Sequence, residues 1–101
     1  MTLQQIQKAL DLRRGGEARP WEYQVSLQRF TLRITASALA GNFHLVCLAC
    51  ERLEFDTTWS PIAITIERCE FGFVVYDRTH LRVECGVVAG QYNVMPLFDC
   101  V

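Results

Sequence analysis

The chain has 101 residues, of which half are hydrophobic and 21% are charged, and its formal net charge is -1. This length and composition fit one globular domain, so we expect a single domain over residues 1–101 and exclude extended disorder. Nucleic-acid binding through bulk charge is not expected, because phosphate contacts need clustered lysine and arginine.

Sequence features that direct a chain to a membrane or to secretion are not recognisable. No run approaches the roughly 20 apolar residues of a membrane span, and Met1–Arg14 lacks the apolar centre of a signal peptide. The five cysteines are an odd number, which does not suit a disulfide framework. We therefore expect a small soluble protein of the cytoplasm.

An N-terminal helix is predicted over Leu3–Arg14. Thr2 and Gln5 have the spacing of a capping box, and Gly15-Gly16 is a strong stop signal. Apolar residues between these signals recur every three or four positions, as on one face of a helix. A helix of this length is marginal alone, so we expect it to pack against the rest of the domain.

From Trp21 onward the apolar pattern changes to the two-residue period of β-strands. Odd positions are apolar over Tyr23–Leu27, and even positions are apolar over Phe30–Ile34. One inserted residue produces such a slip, so we expect a β-bulge at Gln28-Arg29. A tight turn is the alternative, but none of the usual turn residues stands there.

The next segment, Phe43–Cys50, is apolar at both odd and even positions. This pattern is typical of a strand that is buried on both faces. We expect this strand at the centre of a sheet, with the helix covering its second face.

Alternation continues in the second half of the chain. Ile62–Ile66 and the two sides of a hairpin closed at Asp77–His80 are predicted to form half-buried strands. Tyr92–Val101 is predicted as a short edge strand or a docked tail, because Pro96 excludes a central position.

These elements predict an α+β fold in which the N-terminal helix packs on an antiparallel sheet of about five strands, connected as a meander. The alternative is a small β-barrel or roll with one helix.

A zinc site is the sharpest candidate chemistry in the sequence. His44, Cys47 and Cys50 are competent ligands, and Cys85 or Cys69 would supply a fourth. Residues three apart in a strand point to opposite faces, however, and the neighbours are apolar. We therefore interpret the cysteines as core residues and expect no metal or other cofactor, with a zinc-stabilised module on Cys47 and Cys50 as the alternative.

Recognisable catalytic motifs are missing from the sequence, so no catalytic residue is predicted and an enzyme is not expected. A small ligand-binding or enzymatic α+β domain, with a pocket between helix and sheet, remains a further alternative.

Several arginines are candidates for an open sheet face, where arginine and aromatic residues together suit recognition. Interleaved glutamates offer a simpler explanation through cross-strand ion pairs, so nucleic acid stays an unlikely partner. The arginines are Arg29, Arg33, Arg68, Arg78 and Arg82.

Two tryptophans, Trp21 and Trp59, stand beside loops, and tryptophan is enriched where proteins bind one another. Together with Arg29 and Arg33 they are the predicted interface residues. We therefore predict a small non-enzymatic binding or regulatory module that contacts another protein, or a second copy of itself as a homodimer, without nucleic acid or membrane.

Overall fold

The computed structural model describes residues 1–37, 39 and 41–93. They form one helix, α1 (Leu3–Leu12), a short 3₁₀ turn (Val25–Leu27) and eight strands. The strands are β1 (Glu17–Gln24), β2 (Arg29–Thr35), β3 (Asn42–Leu48), β4 (Arg52–Phe55), β5 (Thr65–Cys69), β6 (Gly72–Asp77), β7 (Leu81–Cys85) and β8 (Val87–Asn93).

Helix α1 begins with the predicted capping box. The N–H of Gln5 donates to the Thr2 hydroxyl at 3.1 Å, and the N–H of Thr2 donates to the Gln5 side chain at 2.8 Å. The helix ends at Leu12, slightly earlier than predicted, with Arg13 as its C-cap. Its buried residues are Ile6, Ala9 and Leu10.

The strands form two antiparallel sheets of four strands each. The first sheet has the order β1-β2-β3-β8 and the second has the order β4-β7-β6-β5. The predicted α+β class, with one helix and antiparallel pairing, is confirmed. The described residues contain more strands than predicted, divide them between two sheets, and do not close them into a barrel.

The predicted bulge at Gln28-Arg29 is wrong, and the alternative of a turn is what forms. The chain reverses through the 3₁₀ turn, and Gln28 takes a left-handed φ of 47°. Strands β1 and β2 pair on either side of it, so the change of parity marks a change of direction. The register shifts instead between Pro20 and Glu22, which makes Trp21 the bulged residue.

The chain crosses between the two sheets twice at a shared corner. β3 leads to β4 through Ala49, which has a φ of 55°, and β7 leads to β8 through Gly86. The Gly86 N–H donates to the carbonyls of Leu48 and Ala49 at 3.0 and 3.3 Å. Because β3 pairs with β8 and β4 pairs with β7, one bent ribbon belongs to both sheets.

Helix α1 lies between β8, at the edge of the first sheet, and β5, at the edge of the second. The expectation that it covers the second face of the Phe43–Cys50 strand is wrong. The Gln7 side chain attaches the helix beside β5 instead. Its Nε2 donates to the Ile64 carbonyl at 3.1 Å, and its Oε1 accepts from the Ile66 N–H at 2.9 Å. The helix thereby satisfies backbone groups along the edge of β5.

The segment 56–64 links β1 to the second sheet. Trp59 and Ala18 exchange two backbone hydrogen bonds, of 3.0 and 3.1 Å. The buried Asp77 carboxylate accepts from Trp59 Nε1 and from the Ala63 N–H, both at 2.8 Å. The predicted burial of Ile62 and Ile64 is confirmed, although both precede β5.

Residues 94–101 lie outside the described part of the chain, so the prediction for Tyr92–Val101 meets the structure only where Tyr92 and Asn93 end β8. Within residues 1–93, as far as they are described, no helix combines the length and the apolarity that crossing a bilayer requires.

Candidate protein-binding face

One face of the first sheet, directed away from the core, gathers three of the four predicted interface residues. Side chains alternate along a strand, so Arg29 and Arg33 of β2 point away from the core together. Arg33 is the register partner of His44 on β3, and the bulge at Trp21 brings the indole ring over Arg33. We call the set Trp21, Arg29, Arg33 and His44 the Trp21 face.

The Trp21 ring is held by specific contacts although it is 48% exposed. The Arg33 guanidinium lies 3.9 Å from the ring centre, within cation–π range, and the His44 ring centre lies 6.1 Å away. With the Asn42 amide oxygen turned toward Arg33, that oxygen accepts from Arg33 Nη2 at 2.7 Å. The exposed indole therefore has a defined orientation.

The charged side chains of the Trp21 face are arginines, and Glu17 lies at its border, where it lines a cavity with Arg33. Neither Arg29 nor Arg33 lies within 4.0 Å of a carboxylate among the described residues, and the buried Nε of Arg29 has no acceptor there. Burial and the charge of Arg33 lower the pKa of His44, so its imidazole is neutral near pH 7. The Arg33 guanidinium beside an exposed indole, with Arg29 further along the same face of β2, therefore defines the chemistry of the face.

No protein-family model, curated protein or solved structure matches this chain.

Trp59 does not belong to this face and is not available to a partner. It is 5% exposed, its Nε1 donates to Asp77, and its ring stacks on His80 with 5.9 Å between ring centres. The prediction of Trp59 as an interface residue is therefore corrected: it is a core residue, whose N–H has a buried acceptor.

The cysteines of the predicted zinc site meet at the corner between the sheets, but His44 does not join them. Cys47, Cys50 and Cys85 are buried there, and Cys50 Sγ lies 3.3 Å from the Cys47 carbonyl. His44 points to the opposite face of β3. Among the described residues, no three His, Cys, Asp or Glu side chains are arranged to hold a metal ion.

Cys47 and Cys50 at this corner favour their protonated forms, whereas a hydrogen bond with Cys47 lowers the pKa of Cys85. Burial raises the pKa of Cys50 to about 11. A hydrogen bond with Cys85, together with burial, raises the pKa of Cys47 well above its ordinary value. All three cysteines belong to the buried hydrophobic cluster, where a free cysteine packs as a small apolar residue.

The arginines predicted to share one open face are divided between several surroundings. On the outer face of the second sheet, Arg82 lies 3.3 Å from Glu84, as expected for ion pairs within a solvated face. Arg68 lies over the Phe73 ring at 5.4 Å, and Arg78 contacts Asp77 at 2.8 Å. Only Arg29 and Arg33 remain on the Trp21 face.

The zinc alternative groups His44 with its chain neighbours Cys47 and Cys50, whereas the structure places it beside Trp21 of β1 and Arg33 of β2. The sequence predicts no site role for Arg13 or Asp77. Strand pairing decides such neighbours, and a single sequence does not state the register.

Proposed function

We propose that this protein is a small binding module that recognises another protein through the Trp21 face. The observation that carries the proposal is the preorganised, half-exposed Trp21 ring, with the Arg33 guanidinium 3.9 Å from its centre. Tryptophan and arginine dominate the few residues that provide most of the binding energy in protein interfaces.

Preorganisation supports this use of Trp21. A side chain that is already fixed loses little conformational entropy when a partner covers it, whereas a mobile one loses more. Contacts with Arg33 and His44 fix the indole before any partner arrives. The exposed part of the ring then offers a rigid apolar surface.

The charges on the face indicate the chemistry of the partner. Arg29 and Arg33 have no carboxylate partner among the described residues. Guanidinium groups bind carboxylates with good geometry, and an unpaired cation at an interface disfavours a basic partner. The proposed partner therefore presents an apolar side chain to Trp21 and one or more carboxylates to the arginines.

Side chains rather than the backbone edge of β1 carry the proposed recognition. Pro20 has no N–H to donate, and the bulge at Trp21 interrupts the edge. The same edge is paired with Trp59 at Ala18. All four described cysteines are free thiols, which supports action in a reducing compartment such as the cytoplasm.

The test is capture of partners by the tagged full chain from its own cell extract, followed by affinity measurement with the purified partner. The variants Trp21→Ala and Arg33→Ala remove the two central side chains. Phe71→Ala is the matched control, because Phe71 is an exposed aromatic residue outside the Trp21 face.

We expect each interface variant to lower the affinity for a captured acidic protein by about tenfold or more. The loss of affinity in Arg33→Ala should become smaller at high salt, because salt screens the charge of Arg33. Equal binding by Trp21→Ala and Phe71→Ala would contradict the proposal. Tight binding of a decathymidine oligonucleotide through Trp21 would replace it with a nucleic-acid function.

A further inference from the structure

Among the described residues, the four sheet edges are not protected equally. The edge strand β1 carries Pro20 and a bulge, and β4 is only four residues long and includes the charged Arg52 and Glu54. The β5 edge is hydrogen-bonded to the Gln7 side chain. These are the usual devices that stop an edge from pairing with another chain. β8 has seven residues without a charge or a proline.

The backbone edge of β8 that faces away from β3 is open within the described part of the chain. All hydrogen-bonded pairing of β8 there is with β3, and no other described backbone group bonds to it. An edge strand of this length and composition is able to accept an additional strand.

A groove lies between α1 and the end of β8, where Tyr92 is its one described lining residue from that strand. Its volume is about 320 Å³, which is enough for a few side chains. Met1, Leu12 and Tyr92 are each more than half exposed along it. The lining residues are Met1, Gln5, Lys8, Ala9, Leu12 and Tyr92.

A buried cation adjoins the groove without a counter-ion. Arg13 is 4% exposed, and its guanidinium lies 5.3 Å from the centre of the Tyr92 ring. Its Nη1 donates to the Ala9 carbonyl at 3.2 Å, but its Nε has no acceptor. No described carboxylate lies within 4.0 Å of Arg13. An unpaired buried charge is unfavourable, so this location favours an anion.

We infer that the groove between α1 and β8 binds an extended acidic segment of a partner protein, which adds a strand to β8. Backbone hydrogen bonds to β8 supply part of the affinity, as in other strand-addition complexes. An apolar side chain of the segment contacts Met1, Leu12 and Tyr92. A carboxylate side chain lies beside the exposed Lys8 and the buried Arg13. This site is separate from the Trp21 face and does not depend on it.

The positive charges of Lys8 and Arg13 favour an acidic segment. Lys8 is the only charged residue among those described as lining the groove, and Arg13 adds a second positive charge behind Tyr92. A basic segment would add further positive charge to a site that already has an uncompensated one.

The first experiment measures binding of two synthetic probes to the full chain by fluorescence anisotropy. One probe is an acetylated nonapeptide of alternating valine and threonine with a central aspartate, and the other has lysine at that position. We expect the aspartate peptide to bind at least about tenfold more tightly, which corresponds to about one unit of log Kd. Equal affinities, or no binding of either peptide, would overturn the inference.

A charge reversal at the exposed Lys8 provides the matched control. Lys8→Glu should reverse the preference in favour of the lysine peptide, whereas Lys8→Gln should only reduce the difference between the probes. Trp21→Ala should leave binding of both peptides unchanged, which separates this site from the Trp21 face. A preference that survives Lys8→Glu would refute the assigned position of the carboxylate.

Hydrogen exchange on the unmodified protein tests strand addition directly. Saturating aspartate peptide should slow exchange of amides in Val87–Asn93 and leave those of β5 unchanged. Full protection of β8 before the peptide is added, with no peptide binding, would show that the edge is already occupied. That outcome would overturn the inference.

Discussion

The two tryptophans of this chain have opposite roles because their surroundings differ. Trp59 is buried and bonded to Asp77, whereas Trp21 is half exposed and contacts mainly Arg33 and His44. Trp59→Ala should lower the free energy of unfolding by about 3–5 kcal/mol, and Trp21→Ala by less than about 1 kcal/mol. Urea denaturation of the two variants measures both values, and similar losses would contradict the exposed role of Trp21.

The Asp77 carboxylate is a buried anion with a complete set of donors. Burial would raise its pKa, but hydrogen bonds from Arg78, the Ala63 N–H and Trp59 outweigh burial and hold the pKa below its ordinary value. Asp77→Ala leaves those donors without an acceptor and should lower stability by about 3–5 kcal/mol. The isosteric Asp77→Asn should cost less, because its amide oxygen still accepts.

The pH dependence of the Asp77→Asn effect follows from the depressed pKa. Such a carboxyl contributes stability that is present above its unfolded-state pKa, about 3.9, and is lost as the pH falls through the folded-state pKa. The stability difference between the wild type and Asp77→Asn should therefore shrink as the pH falls below about 4. Urea denaturation from pH 6 to pH 3 tests this, and a constant difference would argue against an ionised Asp77.

At the scale of elements, Gln7 is the residue that attaches the helix to the second sheet. It donates to the Ile64 carbonyl and accepts from the Ile66 N–H. Gln7→Ala leaves both partly buried groups unpaired and should cost about 1–3 kcal/mol. It should also speed hydrogen exchange at the Ile66 amide. Lys8→Ala, an exposed change on the same helix, is the control, and equal effects of the two variants would refute the role of Gln7.

Elements with local causes were predictable from the sequence, and elements with distant causes were not. The capping box of α1 and the burial of Ile62 and Ile64 depend on neighbours in the chain. The reversal at Gln28 has none of the usual turn residues. Its left-handed φ of 47° is held by the pairing of β1 with β2 on either side. The corner at Ala49 also lacks a recognisable turn residue. The sequence therefore predicts one sheet, whereas the chain bends at Ala49 and contributes to two.

The candidate site follows the same division. The sequence selected Trp21, Arg29 and Arg33 as residue types suited to an interface, and alternation placed the arginines together. It did not supply His44 as their neighbour or Arg13 as a buried cation, because both depend on packing between elements far apart in the chain. Register and packing therefore limit such predictions more than local propensity does.

For the whole molecule, the two proposed binding sites occupy different parts of the first sheet. The Trp21 face lies on β1, β2 and β3, whereas the groove adjoins the edge strand β8. Both sites carry positive charge, although the chain as a whole has a formal net charge of -1. The fold therefore places positive charge at both proposed sites in a chain whose net charge is slightly negative.

The corner where the two sheets join should set the alkaline limit of stability for the whole fold. The raised pKa of Cys50, about 11, means that the folded state holds the thiol proton more tightly than the unfolded state does. This contribution is fully present below the unfolded-state pKa, about 8.5, and is lost as the pH rises toward the folded-state value. The free energy of unfolding should thus decline by about 2–3 kcal/mol from Cys50 between these limits. Urea denaturation under reducing conditions at pH 7.5, 9 and 10.5 measures the decline.

Cys50→Ala should make the decline of stability with pH shallower. Cys69→Ala, which removes a thiol outside the corner, should keep the wild-type slope. A wild-type slope in Cys50→Ala would show that other groups control the alkaline unfolding.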